Sequence, residues 1–298
     1  MSLCVDPRRS WRETAALAQR VDAGGWHAVY LCDHFMPHDP AGAAADGPVL
    51  ECWTTLSALA MQTTRTRLGT LVLGNTYRHP AVVANMAAAL DQVSGGRVVL
   101  GVGAGWQPNE HAAYGLTLPG VRDRIEALDE ACRVIRSLLS KRRSTLVGPA
   151  YQLTDAPCDP KPVQRWLPLL VGGGGERLTL KVAARHADVW HAWAGPELFR
   201  HKNAILDRRC QDVGRDPYEV DRATGGTVSV VPRHRRRPGK VEGDVHGTAD
   251  EVLARLLEFR SLGVDEFIVR DDAANVSVEE SLDQVAVLTE AVLPGVVG

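Results

Sequence analysis

The chain lacks an excess of either charge: 34 Lys and Arg stand against 36 Asp and Glu over 298 residues, and charged blocks are short. That balance gives no electrostatic reason to expect nucleic acid or an anionic membrane as partner, and a small molecule is the expected ligand. No apolar run approaches the roughly 20 residues a membrane-spanning helix needs. The six cysteines, Cys4, Cys32, Cys52, Cys132, Cys158 and Cys210, contain no CxxC pair and follow no secretory signal pattern. A disulfide framework or zinc site is therefore not expected, whereas reduced thiols in a cytoplasmic protein are. No HxH, HExxH or carboxylate cluster points to a metal, and no GxSxG elbow offers a serine nucleophile. No Ser/Gly/Pro-rich linker or repeat divides the chain, so one domain over residues 1–298 is expected.

Short apolar strands alternate with helical periods throughout. Strands are expected at about Ser2–Val5, Ala28–Cys32, Leu68–Leu73, Val98–Val102, Pro168–Val171, Asp188–His191, Thr227–Val231 and Glu266–Val269. Helices are expected at about Ser10–Ala23, Leu50–Thr63, Pro80–Val93, Arg122–Leu139, Glu176–Arg185, Pro196–Val213, Thr248–Leu262 and Val278–Leu293, the seventh opened by a Thr248/Glu251 capping box. Eight such units favour a closed (β/α)8 TIM barrel, whose site lies at the C-terminal ends of the strands.

Several strand ends carry suggestive chemistry. The apolar run Ala28–Cys32 delivers Asp33 and His34, a fixed acceptor beside a group that changes charge near neutral pH; the alternative is a helix cap and a solvated histidine. Gly101-Val-Gly-Ala-Gly105 lacks the third glycine of a dinucleotide fingerprint, since Trp106 occupies that position. What remains, from Gly103 and Ala104 to Gly105 and Trp106, is a glycine-lined strand end against which a flat ligand can lie. Gly172, Gly173, Gly174 and Gly175 precede a helix expected from Glu176, the geometry that binds phosphate through amides and the helix dipole, with Arg177 near; the alternative is a close helix–strand contact. Trp190, His191 and Trp193 form a candidate substrate-pocket wall with Trp106. The run Arg233–Arg237 reads as a solvated loop, with a clamp for an anionic tail as its functional alternative.

In this order, Asp33-His34-Phe35, Arg67–Pro80, Ser94–Trp106 with Asn109-Glu110, Ala156–Pro162, Gly172–Gly175, Ala183–Asp188 and Gly263–Phe267 resemble the bacterial luciferase-like monooxygenase superfamily, in its branch of oxidoreductases using the deazaflavin coenzyme F420. The resemblance implies a (β/α)8 barrel with the coenzyme ring across the strand ends, and a non-prolyl cis peptide behind it at Leu71–Val72. It implies coenzyme contacts from Asp33, Gly74, Asn109 and the glycine loop, with His34 at the reactive face. Sugar-phosphate dehydrogenases of the branch carry a catalytic glutamate where this chain has Trp106, so that activity is not carried over. The expectation is an F420-dependent oxidoreductase acting on a small, weakly polar substrate, with His34 as proton donor or acceptor. The alternatives are an FMN-dependent monooxygenase of the same superfamily and a deazaflavin carrier without turnover. A homodimer is allowed, and its existence is not read from the residues.

Overall fold

A computed structural model describes residues 1–230 and 243–297. Strands and helices alternate as β1 (Ser2–Val5), α1 (Trp11–Ala23), β2 (Ala28–Leu31), α2 (Cys52–Gln62), β3 (Arg67–Thr70), α3 (Pro80–Ser94), β4 (Val98–Gly103), α4 (Val121–Ser140), β5 (Leu169–Gly172), α5 (Thr179–His186), β6 (Val189–His191), α6 (Pro196–Asp212), β7 (Asp221–Gly226), α7 (Ala249–Ser261), β8 (Glu266–Arg270) and α8 (Val278–Val287). Adjacent strands pair in parallel all the way round, and the sheet closes where Leu3 of β1 lies between Val29 of β2 and Val269 of β8. This is the expected (β/α)8 barrel.

Its strands are buried on both faces, which is why they read as continuous apolar runs rather than alternations. Cys4, Ala28, Tyr30, Val99, Leu170, Val189, Ala223 and Ile268 fill the barrel interior. Leu3, Val29, Leu100, Leu169, Trp190 and Val269 point the other way, into the helix layer with Leu17, Leu56, Leu128 and Phe199. Capping boxes start three helices, Ser10 with Glu13, Thr248 with Glu251, and Ser277 with Glu280.

The seventh barrel strand is not the apolar Thr227–Val231 but the preceding Asp221–Gly226, while Val228–Val230 pairs outside the barrel with Val245–Gly247. Close packing explains the glycines that weaken the strand signal: a Cβ on Gly225 would lie 1.9 Å from the Ile268 carbonyl oxygen. Helix α5 begins at Thr179 rather than Glu176, after a turn over residues 176–178. A hairpin, Ser144–Val147 with Gln152–Ala156, and a short helix, Pro108–Ala113, are additions to the barrel pattern. The Leu71–Val72 peptide bond is cis, as the resemblance implies.

Candidate active site

The chain leaves β2 inside the barrel mouth through Cys32, Asp33 and His34. Asp33 is buried and fully engaged. It accepts the Gly74 N–H at 3.0 Å and both terminal nitrogens of Arg78, at 2.8 and 3.1 Å. Burial pushes its carboxyl above the ordinary value, against the lowering by Arg78 and Gly74. Arg78 also donates to Glu51 at 2.7 Å, and Glu51 caps α2. Asp33 thus locks the β2 end to the segment after β3.

His34 turns to a different carboxylate. Its Nδ1 lies 2.9 Å from Oε1 of Glu110, a residue of the short helix Pro108–Ala113 whose side chain is wholly buried. Glu110 also accepts the Phe35 N–H at 2.9 Å and the Tyr77 hydroxyl. Burial draws the His34 pKa down, yet the hydrogen bond to Glu110, with Cys32 and Asp33, leaves it raised above 6.5. Burial opposes, and the bonds from His34 and Tyr77 outweigh it, so Glu110 sits below its ordinary value. Burial and then Glu110 raise the Tyr77 phenol. A carboxylate at Nδ1 fixes the imidazole tautomer and leaves Nε2 for proton exchange. Trp106, 53 % exposed, stands over this pair with its ring 5.6 Å from that of His34 and 4.8 Å from that of His38.

Behind the mouth, Val72 explains two glycines: a Cβ at Gly103 or Gly172 would lie 2.6 or 2.7 Å from its side chain, whereas one at Gly101 would lie 1.9 Å from the Thr70 carbonyl oxygen. The strand-end glycines at 103 and 172 therefore admit Val72, which differs from the expectation of a bare backbone surface for a ligand. Just before the cis bond the Thr70 hydroxyl takes over the ladder, donating to the Gly101 carbonyl at 2.7 Å and accepting its N–H at 2.9 Å. Beyond β4, Ala104 packs on the core and Gly105 adopts φ +78°, with Thr76 too close for a Cβ. Asn109 donates to the Pro37 carbonyl at 3.0 Å, while its buried Oδ1 has no partner among the described residues.

Gly172–Gly175 rises from β5, with Gly173 at φ +131° and its N–H donating to the His191 carbonyl at 2.9 Å. Because α5 starts later than expected, the loop is separated from that helix N-terminus by a turn. A cation comes instead from α6: Lys202 Nζ donates to the Gly174 carbonyl at 2.6 Å and lies 3.2 Å from Glu176. On β6, His191 and Trp193 share the inward face with Val189, and their rings meet edge to face at 4.6 Å. Burial lowers the His191 pKa to about 3, so the ring is neutral near pH 7. Trp190, one residue out of phase, is a correction to the expected pocket wall. It faces the helix layer, stacks on Phe199 at 5.8 Å and donates its indole N–H to the Gly173 carbonyl at 2.9 Å.

The structure therefore joins Asp33, His34, Gly74, Trp106 and Asn109 on one side of the mouth, and ties the glycine loop to His191 on the other. Glu110, Tyr77 and Arg78 stand within the stretches that carry the resemblance but had no role assigned there, and Lys202 on the helix after β6 is an addition. The Arg233–Arg237 run lies outside the described residues. Among the described residues, no group of three His, Cys, Asp or Glu is placed to hold a metal, and no helix is long and apolar enough to cross a membrane.

A profile of luciferase-like monooxygenases matches residues 4–237. The F420-dependent glucose-6-phosphate dehydrogenase of Microbacterium testaceum is 36% identical over 216 residues, covering 70% of this chain and 62% of that protein. The protein of the same name from Kineococcus radiotolerans is 34% identical over 212 residues, covering 70% and 61%. The aligned region thus spans about three fifths of these relatives' own length. Among solved structures, an F420-dependent secondary alcohol dehydrogenase in complex with an F420–acetone adduct superposes with a TM-score of 0.81 at 21% identity, over 99% of this chain and 98% of that one. The FMN-bound oxygenating constituent of a Pseudomonas putida diketocamphane monooxygenase superposes at 0.72 and 16%, over 99% and 98%.

Proposed function

This chain belongs to the luciferase-like monooxygenase family, and on that premise we propose that it is an oxidoreductase using coenzyme F420 to exchange a hydride with a small organic substrate, residues 1–298 forming one catalytic barrel. The observation that carries the coenzyme choice is the similarity, at 34% and 36% identity, to relatives named as F420-dependent. The FMN-bound neighbour shares the barrel at 16% identity and supports the fold alone.

The residues present fit such a group. Asn109 Oδ1 is a buried acceptor in want of a donor, and Lys202 places a cation beside the Gly172–Gly175 loop, where a phosphate would sit. Leu71 and Val72 would back the ring, Gly103–Trp106 and Asn109 would line its edge, and Gly172–Gly175 would take the phosphate. Asp33 serves by holding Arg78 and Gly74 in place, since its own oxygens are engaged. F420, when bound, supplies hydride exchange, while the protein orients the reactants and handles protons. His34 does the latter: Glu110 fixes Nδ1, and Nε2 gives or takes the proton that balances hydride transfer.

The remaining mouth is aromatic, with Trp106 on one side and His191 and Trp193 on the other. His191 is neutral there, and such walls suit a weakly polar body such as an enone, an imine, or an aromatic alcohol or ketone. Trp106, in place of the glutamate of the sugar-phosphate dehydrogenases, argues against a sugar. Turnover of cyclic enones and aromatic ketones with reduced F420, set beside glucose 6-phosphate with oxidised F420, tests this. The expected result is reduction of the enones or ketones; efficient oxidation of the sugar phosphate with inert enones and ketones would overturn it.

A further inference from the structure

β8 ends on a cation that pairs with none of the described residues. Along this strand Glu266 reaches Tyr30 inside the barrel at 3.2 Å, and Ile268 packs in the interior layer, so Arg270 leaves the strand on the same inward face. Its register partner on β1 is Cys4, also inward. Unlike Glu266 and Ile268, Arg270 is exposed, which puts its guanidinium in the open mouth. The Cys32 thiol is lowered first by its contact with Cys4, against burial, and further by His34 and Arg270, so one thiol feels both cations.

Among the described residues the Arg270 side chain makes no hydrogen bond or ion pair. The carboxylates of the rim are committed elsewhere. Asp271 binds Arg9 in a fork at 2.9 Å, and Asp6 binds Arg8 and the Ala273 N–H. Asp33 holds Arg78, and Glu110 holds His34 and Tyr77. An arginine whose side chain leaves a strand into a cleft and pairs with none of the described carboxylates is suited to an anion from outside.

We propose that Arg270 anchors a carboxylate of the substrate, whose apolar body lies against Trp106 and Trp193. The word substrate rests on the oxidoreductase reading above; the binding preference does not. A single guanidinium fork matches two carboxylate oxygens and neutralises one charge. The glycine loop with Lys202 follows β5, three strands away round the barrel, so the proposed phosphate site and this anchor are separate places.

Calorimetric titration of the coenzyme-free protein with trans-cinnamate, cinnamyl alcohol and inorganic phosphate at low salt tests the anchor. Cinnamate is expected to bind about tenfold or more tightly than the alcohol, with the preference shrinking as salt rises. Arg270→Gln should abolish the preference without changing affinity for the alcohol, and Arg270→Lys should keep part of it. F420 affinity, read by quenching of its fluorescence, should stay within about twofold in both variants. Equal binding of acid and alcohol to the unaltered protein, or a preference that survives Arg270→Gln, overturns the proposal. So does phosphate binding more tightly than cinnamate, or a tenfold loss of F420 affinity in Arg270→Gln, which would assign the arginine to the coenzyme's acidic tail. An acid preference in a protein that fails to bind F420 would uphold the anchor and reject the coenzyme.

Discussion

His34 and Glu110 are the two residues proposed to handle the proton, and their charges define a pH window. The histidine has a raised folded pKa, so its bond to Glu110 adds stability that is full below 6.5 and is lost as pH rises through the raised value. The carboxyl of Glu110 is lowered, so its contribution is present above 4.5 and lost as pH falls through the lowered value. The pair is strongest between those ordinary values. His34→Ala should lower turnover by about 10²–10⁴-fold with F420 affinity largely kept, the usual contribution of a positioned acid or base. Glu110→Gln should move the His34 limb of the pH–rate profile to lower pH, with a smaller loss of turnover than His34→Ala. An unmoved limb would show that His34 does not handle the proton. His34 was legible because it ends an apolar strand. Its pairing with Glu110 was not, because 76 residues separate the two in the chain, and only barrel closure brings β2 and the helix after β4 together.

At the scale of elements, the alternation of periods was enough to place seven of eight barrel strands, and the exception is instructive. Thr227–Val231 has the better strand composition, yet Asp221–Gly226 takes the barrel position because its glycines permit the approach of Ile268 and Gly243. Composition measures the fit of a side chain to a half-buried surface, and here the surface requires none. Trp190 failed for a related reason: strand period 2 sends it outward between two inward neighbours, and the register was not assigned. The glycines around Val72 give a direct test of close packing. Gly103→Ala should destabilise by about 1–3 kcal/mol in denaturant unfolding, as overpacking does. Combining it with Val72→Ala should recover much of that loss, since the new methyl would meet Val72 Cγ2 at 2.6 Å. Additive losses in the double variant would mean that the glycine answers to something other than Val72.

At the scale of the whole molecule, one closed sheet brings strand ends that are far apart in sequence to a common mouth, with the His34–Glu110 pair on one side and the glycine loop with Lys202 on the other. The fold was legible because strands and helices alternate in barrel order, and the coenzyme class followed only from the resemblance the motifs carry. Polar partners such as Arg78, Lys202 and Arg270 were not legible, because their roles depend on which carboxylates their neighbours have already taken. The coenzyme assignment is tested most directly by titrating the protein with F420 and with FMN side by side and following the quenching of each fluorophore. F420 should bind at one site per chain and more tightly than FMN, with affinity falling as salt rises because the ligand is anionic. Tighter binding of FMN, or no saturable binding of F420, would contradict the assignment.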